Sequence, residues 1–150
     1  MPAETGRRIR RAARILLVDE RGRVMLFRFT PTDRPPLWAT PGGECEPQED
    51  FPAAARRELL EETGIDSDCG PQVARRSSDF LTFEGEAVTG DERYFLVRVA
   101  GEPAIRPHAL TPSEQALMLE HRWFAREEIA DWAEVIYPRD LAALLAQVGV

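Results

Sequence analysis

Short apolar runs separated by turn residues predict the first strands of this chain. The run ARILLVD at residues 13–19 predicts a buried strand, and residues 24–29 predict a second strand. The second strand pairs back on the first as a hairpin across a turn at residues 20–23. Three prolines make residues 30–36 a loop, and residues 37–40 form a short extended piece.

The strongest helix signal lies between residues 50 and 64. Asp50 is a good N-cap, and Pro52 stands in the first turn, where its missing N–H costs nothing. The run AAARRELLEE consists of strong helix formers, and Gly64 is the residue expected just after the last turn. We therefore predict a helix between Asp50 and Gly64, preceded by a loop over residues 41–49.

The second half of the chain mixes strands with shorter helices. We predict one or two strands over residues 71–83, a turn at Gly90 and Asp91, and a half-buried strand over residues 92–99. The remaining predicted segments are a loop at 100–112, a short helix or loop at 113–121, a strand at 122–125 and closing helices at 126–132 and 138–148. Helices mixed with antiparallel strands predict an α+β domain built in packed layers.

Composition narrows the class of protein. A chain of 150 residues with 43% apolar residues suits one folded domain rather than a disordered chain. It lacks a run of about 18 apolar residues, and its charged N-terminus is followed by no apolar signal segment. We expect a cytoplasmic protein without a membrane partner, with residues 1–11 as a flexible arm and two reduced cysteines, Cys45 and Cys69.

Charge is concentrated in one segment. All 19 basic residues are arginine, which excludes a P-loop lysine and lysine-based catalysis. The net charge is −7, and residues 43–65 alone contribute −5 of it. Such a patch repels a nucleic-acid backbone unless cations intervene, so we expect no nucleic-acid partner.

Three acids stand where the helix dipole disfavours them, in the last turns before Gly64. At about 100° per residue, Glu58, Glu61 and Glu62 fall within an arc of about 100° on one helix face. Their mutual repulsion and the adverse dipole are both relieved by a divalent cation, and carboxylate oxygens suit Mg²⁺ or Mn²⁺. A solvated acidic face is the alternative interpretation for these three acids taken alone.

The spacing of these acids resembles a known family signature. The residues Gly43, Glu49, Arg57-Glu58-Leu59, Glu61-Glu62 and Gly64-Ile65 match every fixed position of the Nudix box, GX5EX7REUXEEXGU. The preceding WATPGG and the order of strands and helices extend the resemblance to MutT-like Nudix hydrolases over most of the chain, as a single domain over residues 1–150.

The resemblance implies both a fold and an activity. The implied fold is an α/β/α sandwich, with a mixed β-sheet between helices. The implied activity is Mg²⁺-dependent hydrolysis of the diphosphate linkage in a nucleoside diphosphate linked to X, with a (d)NTP slightly favoured and Mn²⁺ as another ion. A catalytically silent Nudix-fold module that binds nucleotides or regulates is the alternative. Homodimers are common in the family, and the sequence leaves the oligomeric state open.

The resemblance also assigns metal ligands. Carried over by position, Glu58 and Glu62 are the primary Mg²⁺ ligands, and Glu61 shares a metal or holds the water. The carbonyl of Gly43 is the implied backbone ligand. Gly64 closes the box helix.

An ion pair and a general base complete the implied machinery. Arg57 and Glu49 are expected to pair and to fix the helix against its loop. The base that activates water is either Glu61 or a later loop acid, for which Glu114 fits the spacing. Glu92 and Glu120 remain further alternatives.

Substrate contacts are predicted less directly. Arg28, at the end of the second predicted strand, occupies a position where the family often places an arginine near substrate phosphates. Trp38, Phe80 and Tyr94 are candidates to stack on a base, although a core position is favoured for each. Cys45, close to the predicted metal site, is interpreted as a loop-packing residue.

Overall fold

Strands and helices of the protein are described by a computed structural model for residues 6–101 and 103–150. The strands in these residues are β1 (Arg8–Val18), β2 (Val24–Phe29), β3 (Leu37–Ala39), β4 (Gly42–Glu44), β5 (Gln72–Leu81), β6 (Ala87–Arg98), β7 (Met118–Phe124) and β8 (Val135–Tyr137). The helices are α1 (Phe51–Thr63), α2 (Pro112–Leu117), α3 (Arg126–Ala130) and α4 (Leu141–Gln147).

All the described strands join one mixed sheet in the order β5-β6-β1-β2-β3-β8, with β4 added to β1 and β7 added to β2. The pairs β1–β6 and β3–β8 are parallel, and the other pairs are antiparallel. Strand β1 changes partner along its length. It meets β2 at Val18 and Val24, and its earlier residues 12–14 pair with β4 instead. The sheet therefore has two halves, one made of β5, β6, β1 and β4 and the other of β2, β3, β8 and β7. The halves separate where β4 pairs with β1.

Helices cover both faces of this sheet. On one face, α1 packs with Phe51, Ala55 and Leu59 against the alternate β1 residues Ile15 and Leu17. On the other face, α3 and α4 pack against the intervening side chains, in a core cluster that comprises Leu16, Val24, Leu26, Trp38, Tyr94, Phe124, Ile129, Ile136, Leu141, Leu144 and Leu145. The predicted α/β/α sandwich with a mixed sheet is confirmed.

The caps of α1 match their prediction. The Asp50 side chain accepts a 2.8 Å hydrogen bond from the N–H of Ala53. Gly64 adopts a left-handed φ of 80°, and its N–H donates to the carbonyl of Leu60.

Within the described residues, every helix is too short or too polar to cross a membrane.

Strand β1 begins earlier than the sequence predicted. It starts at Arg8, so residues 8–11 are strand rather than flexible arm, and residues 1–5 lie outside the described part of the chain. The apolar pattern missed this segment because its arginines are half-exposed. They are accommodated by acids from neighbouring elements, such as Glu44 and Glu86 around Arg8.

Four further differences concern three strands and the last helix. Strand β4 lies within residues 41–49, for which the sequence predicts a loop. The prediction misses the strand because its glycines show no apolar pattern, and only its pairing with β1 defines it. Gly90 and Asp91 lie inside β6 rather than at a turn, and Gly90 leaves room for the ring of Phe80. Strand β8 was not predicted, and the last helix starts at Leu141 rather than at residue 138.

Candidate active site

Two acids of α1, one helical turn apart, lie against the glycine pair of β4. Glu62 is only 2% exposed, and its Oε1 accepts a 2.8 Å hydrogen bond from the N–H of Gly42. Glu58 is 8% exposed, and a Cβ at Gly43 would lie 2.7 Å from its carboxylate carbon. Glycine at position 43 therefore permits the close approach of the Glu58 carboxylate to the strand.

A third acid reaches the same point from α2. One carboxylate oxygen from each of Glu58, Glu62 and Glu114 lies within 4.8 Å of the others, and we call these three residues the acid cluster. Glu114 is held by a capping box. Its Oε1 accepts from the N–H of Thr111 at 2.9 Å, and its own N–H donates to the Thr111 hydroxyl.

The segment before α2 is held by the C-terminal end of α1. The carbonyl of Glu61 accepts from the N–H groups of His108 and Ala109, and the carbonyl of Thr63 accepts from Arg106. These bonds use helix carbonyls that have no partner within the helix. Gly64 permits this contact, since a Cβ there would lie 2.4 Å from the carbonyl oxygen of Arg106. The end of α1 thus positions the chain that leads to Glu114.

Burial makes the two α1 acids of the cluster, Glu58 and Glu62, resist ionisation. Burial raises the pKa of Glu62 well above its usual value, and the hydrogen bond with Glu114 and the charge of Glu58 raise it further. Burial also raises the pKa of Glu58, against the opposing charge of Arg57. A divalent cation would relieve this repulsion, and a donor set made only of oxygens fits Mg²⁺ or Mn²⁺. The residues present can therefore hold such an ion.

Arg57 lies beside the acid cluster and makes the predicted pair with Glu49. Its Nε and Nη2 donate to the two carboxylate oxygens of Glu49, both at 2.8 Å, and these bonds lower the pKa of Glu49. Its Nη1 donates to Glu58 at 2.8 Å and to Glu61 at 3.0 Å, and Nη2 also contacts the carbonyl of Glu44. Arg57 therefore joins the box loop to the acidic face of α1.

The structure separates the candidates for the general base. Glu114 lies in the acid cluster, whereas the Glu61 carboxylate is bound by Arg57. Glu92 pairs with Arg14 at 3.2 Å, and neither it nor Glu120 belongs to the carboxylate group found among the described residues. The sequence alone does not distinguish Glu114 from the other candidates, because its place depends on how residues 106–109 bind α1.

Two predicted substrate contacts lie elsewhere. Arg28 donates from Nε and Nη2 to both carboxylate oxygens of Glu134, at 3.0 and 2.7 Å. Trp38 is 3% exposed, donates from Nε1 to the same carboxylate, and packs edge-on against Phe124 and Trp132. Trp38 is therefore a core residue on the face opposite α1 rather than a surface for stacking, and the Arg28 guanidinium is already paired.

Two other residues considered from the sequence also belong to the core. Tyr94 is 1% exposed and packs on the α4 side of the sheet. Cys45 packs in the core beside Phe51, and burial raises the pKa of its thiol. Its place agrees with the interpretation as a loop-packing residue.

Comparison with known proteins identifies the family of this chain. The family model of the NUDIX domain matches residues 8–145. An RNA pyrophosphohydrolase of Novosphingobium aromaticivorans is 29% identical over 128 residues, an alignment that covers 78% of this chain and 78% of the relative.

Solved structures share the fold at low sequence identity. The MutT protein of Methanosarcina mazei Go1 superposes with a TM-score of 0.69 at 18% identity, over 94% of this chain and 93% of that one. The Ap4A hydrolase of C. elegans superposes with a TM-score of 0.63 at 19% identity, over 93% of this chain and 94% of that one. With the family model matching nearly the whole chain, this protein belongs to the Nudix family and is a hydrolase of phosphorus-containing acid anhydrides.

Proposed function

We propose that this hydrolase cleaves the diphosphate linkage of a nucleoside diphosphate linked to a group X, with the help of Mg²⁺ or Mn²⁺. The convergence of Glu58, Glu62 and Glu114 within 4.8 Å is the observation that supports the proposal most strongly. A (d)NTP, cleaved to a nucleoside monophosphate and pyrophosphate, is the substrate we favour.

Glu58 and Glu62 are the proposed primary ligands of the cation, with the carbonyl of Gly43 as a backbone ligand. When bound, a divalent cation neutralises phosphate oxygens and makes a neighbouring water more acidic. Arg57 holds the Glu58 side chain in place through its 2.8 Å contact, while Glu49 fixes Arg57 in turn. Arg57 is thus a positioning residue rather than a group that reacts.

Glu114 is the proposed general base. Its carboxylate lies in the acid cluster, and the Thr111 N–H fixes one of its oxygens at 2.9 Å. It would accept a proton from the water whose oxygen bonds to phosphorus, while the bond from phosphorus to the bridging oxygen breaks. The leaving phosphate group takes the electron pair of that bond. Glu61 is disfavoured for this role because Arg57 binds its carboxylate.

A substrate panel with identified products tests this function. The panel contains (d)NTPs, a nucleotide sugar and, following the names of the relatives, Ap4A and a short RNA with a 5′-triphosphate. Each substrate is incubated with Mg²⁺, with Mn²⁺ and with a chelator. We expect cation-dependent release of a nucleoside monophosphate from at least one small nucleotide. Nucleotide binding without any product in either ion would instead support the silent binding module.

A further inference from the structure

We infer that Arg34 is a positioning residue that fixes the tip of the β5–β6 hairpin, residues 82–86, and thereby sets the width of the approach to the acid cluster. This inference rests on the proposed function, because it concerns which nucleotides reach the cluster. Arg34 lies in the loop between β2 and β3, on the other half of the sheet from the hairpin.

Arg34 makes three contacts with consecutive residues of the hairpin. Its Nη1 donates to the carbonyl of Leu81 at 2.8 Å, and its Nη2 donates to the carbonyl of Thr82 at 3.1 Å. Its guanidinium carbon lies 5.1 Å from the ring centroid of Phe83. Asp33 binds the same guanidinium through two further hydrogen bonds and fixes its orientation. An arginine that only solubilised the loop would not need this set of partners.

The hairpin tip is internally bonded, so its residues hold one another in place. The N–H of Thr82 donates to the carbonyl of Glu86, and the N–H of Gly85 donates back to the carbonyl of Thr82, both at 2.9 Å. The Thr82 hydroxyl also accepts from the N–H of Glu86 at 3.1 Å. Holding Leu81 and Thr82 therefore places the whole tip.

A second set of contacts ties the tip to the strand beside the acid cluster. Arg8 donates from Nε and Nη2 to both carboxylate oxygens of Glu86, at 3.0 and 2.9 Å. The same arginine also pairs with Glu44, which follows Gly43 in β4. Gly43 in turn lies against the carboxylate of Glu58.

A third set of contacts leads from the tip to α2. The ring of Phe83 packs on that of Phe29 with centroids 5.5 Å apart. The next residue, Thr30, donates its N–H to the carbonyl of Leu117 at the end of α2, the helix that bears Glu114. Contacts thus run from the cluster through β4, the tip, the β2–β3 loop and α2 back to the cluster. We take this closed path as the rim of the substrate approach.

Within this rim, Arg34 supplies the polar contacts that join the two halves of the sheet. Strand β2 pairs with β1 at Val18 and Val24, and the rest of the two strands follow other partners. Without the Arg34 guanidinium, the tip keeps the ion pair between Glu86 and Arg8 but loses its hydrogen bonds to the β2–β3 loop. A looser rim positions a small nucleotide less well and obstructs a bulkier one less.

The test compares Arg34→Met with Arg75→Met. Both changes keep much of an apolar stem and delete a guanidinium, and Arg75 lies on the same hairpin, where it pairs with Asp91. Hydrogen exchange of residues 82–86 is measured in the full chain without substrate. We expect about tenfold faster exchange in Arg34→Met and wild-type exchange in Arg75→Met.

Kinetics on the substrate panel supply the second readout. For the hydrolysed (d)NTP we expect KM to rise about tenfold in Arg34→Met with kcat within about twofold of wild type. The ratio of kcat/KM for Ap4A over that for the (d)NTP is expected to rise. Mn²⁺ affinity should not change. Wild-type exchange at the tip, or a wild-type KM and substrate ratio, would overturn the inference.

Failure of the proposed function gives a different result. If the wild type hydrolyses no nucleotide, the proposed function fails, and the Kd of a (d)NTP replaces KM as the readout. A wild-type Kd in Arg34→Met would then overturn the role of Arg34, whereas a Kd raised about tenfold would support it.

Discussion

The N–H of Gly42 donates a 2.8 Å hydrogen bond to Oε1 of Glu62, and this bond joins the end of the Nudix helix to the glycine pair of β4. It favours the ionised carboxylate, but burial, Glu114 and Glu58 act in the opposite direction and raise the pKa of Glu62. The metal-free site is therefore electrostatically unfavourable at neutral pH, and we expect Glu62 to lower the stability of the metal-free fold there.

Ionisation of the Glu62 carboxyl should cost the metal-free protein stability as pH rises from acid to neutral values. Because the folded pKa of Glu62 is raised, its contribution is fully present below the unfolded carboxyl pKa of about 4.3 and is lost as pH rises through the folded value. Glu62→Gln removes this loss, so at pH 7 the metal-free variant should be more stable than the metal-free wild type. Urea unfolding in chelator measures the effect. A variant less stable than wild type at pH 7 would contradict the account.

Gly43→Ala should impair turnover while leaving the fold intact. The added Cβ would lie 2.7 Å from the carboxylate carbon of Glu58, so the carboxylate must move away from β4. A displacement of this size lowers the catalytic rate about a hundredfold. Steady-state rates are compared with those of Glu58→Gln, and circular dichroism checks folding. A folded variant with the wild-type rate would show that the contact has no functional role.

Gly64→Ala should be more harmful than Gly22→Ala. Both glycines have positive φ, 80° and 75°, so both changes introduce backbone strain of about 1–2 kcal/mol. Around Gly22 nothing lies within 4 Å of an added Cβ, whereas at Gly64 the Arg106 oxygen would lie at 2.4 Å. We expect a larger loss of unfolding free energy for Gly64→Ala, and lower turnover because Glu114 is displaced. Equal losses in the two variants would argue against the contact with Arg106.

Glu114→Gln should reduce kcat far more than Glu61→Gln. Glu114 lies in the acid cluster, and Glu61 is bound by Arg57 outside it. Removal of a general base costs about 10²–10⁴ in rate, whereas loss of the Arg57 contact should cost less than about tenfold. Rates at saturating cation separate catalysis from ion binding. A larger loss for Glu61→Gln would assign the base to Glu61 instead.

Local rules were sufficient for the box helix and its acids. The cap at Asp50, the end at Gly64 and the face shared by Glu58 and Glu62 follow from helix geometry and spacing alone. The pair of Arg57 with Glu49 was expected from the family resemblance, and the structure contains it.

Tertiary contacts decided what the sequence could not. The place of Glu114 depends on backbone bonds between residues 106–109 and the end of α1. Residue type alone does not say which face of a strand is covered, and the structure places Arg28 and Trp38 on the α4 side, where Glu134 binds both of them. No local sequence pattern predicts the contacts of Arg34, since its partners are carbonyl groups of a distant hairpin.

Titration of the metal-free protein with Mn²⁺ tests directly whether Glu58 and Glu62 hold the cation. Calorimetry is performed on the wild type, Glu58→Gln, Glu62→Gln and the matched control Glu61→Gln, which alters the same helix outside the acid cluster. We predict that Glu58→Gln and Glu62→Gln each weaken binding by at least about tenfold, while Glu61→Gln stays close to the wild type. Wild-type affinity in both cluster variants would contradict the account.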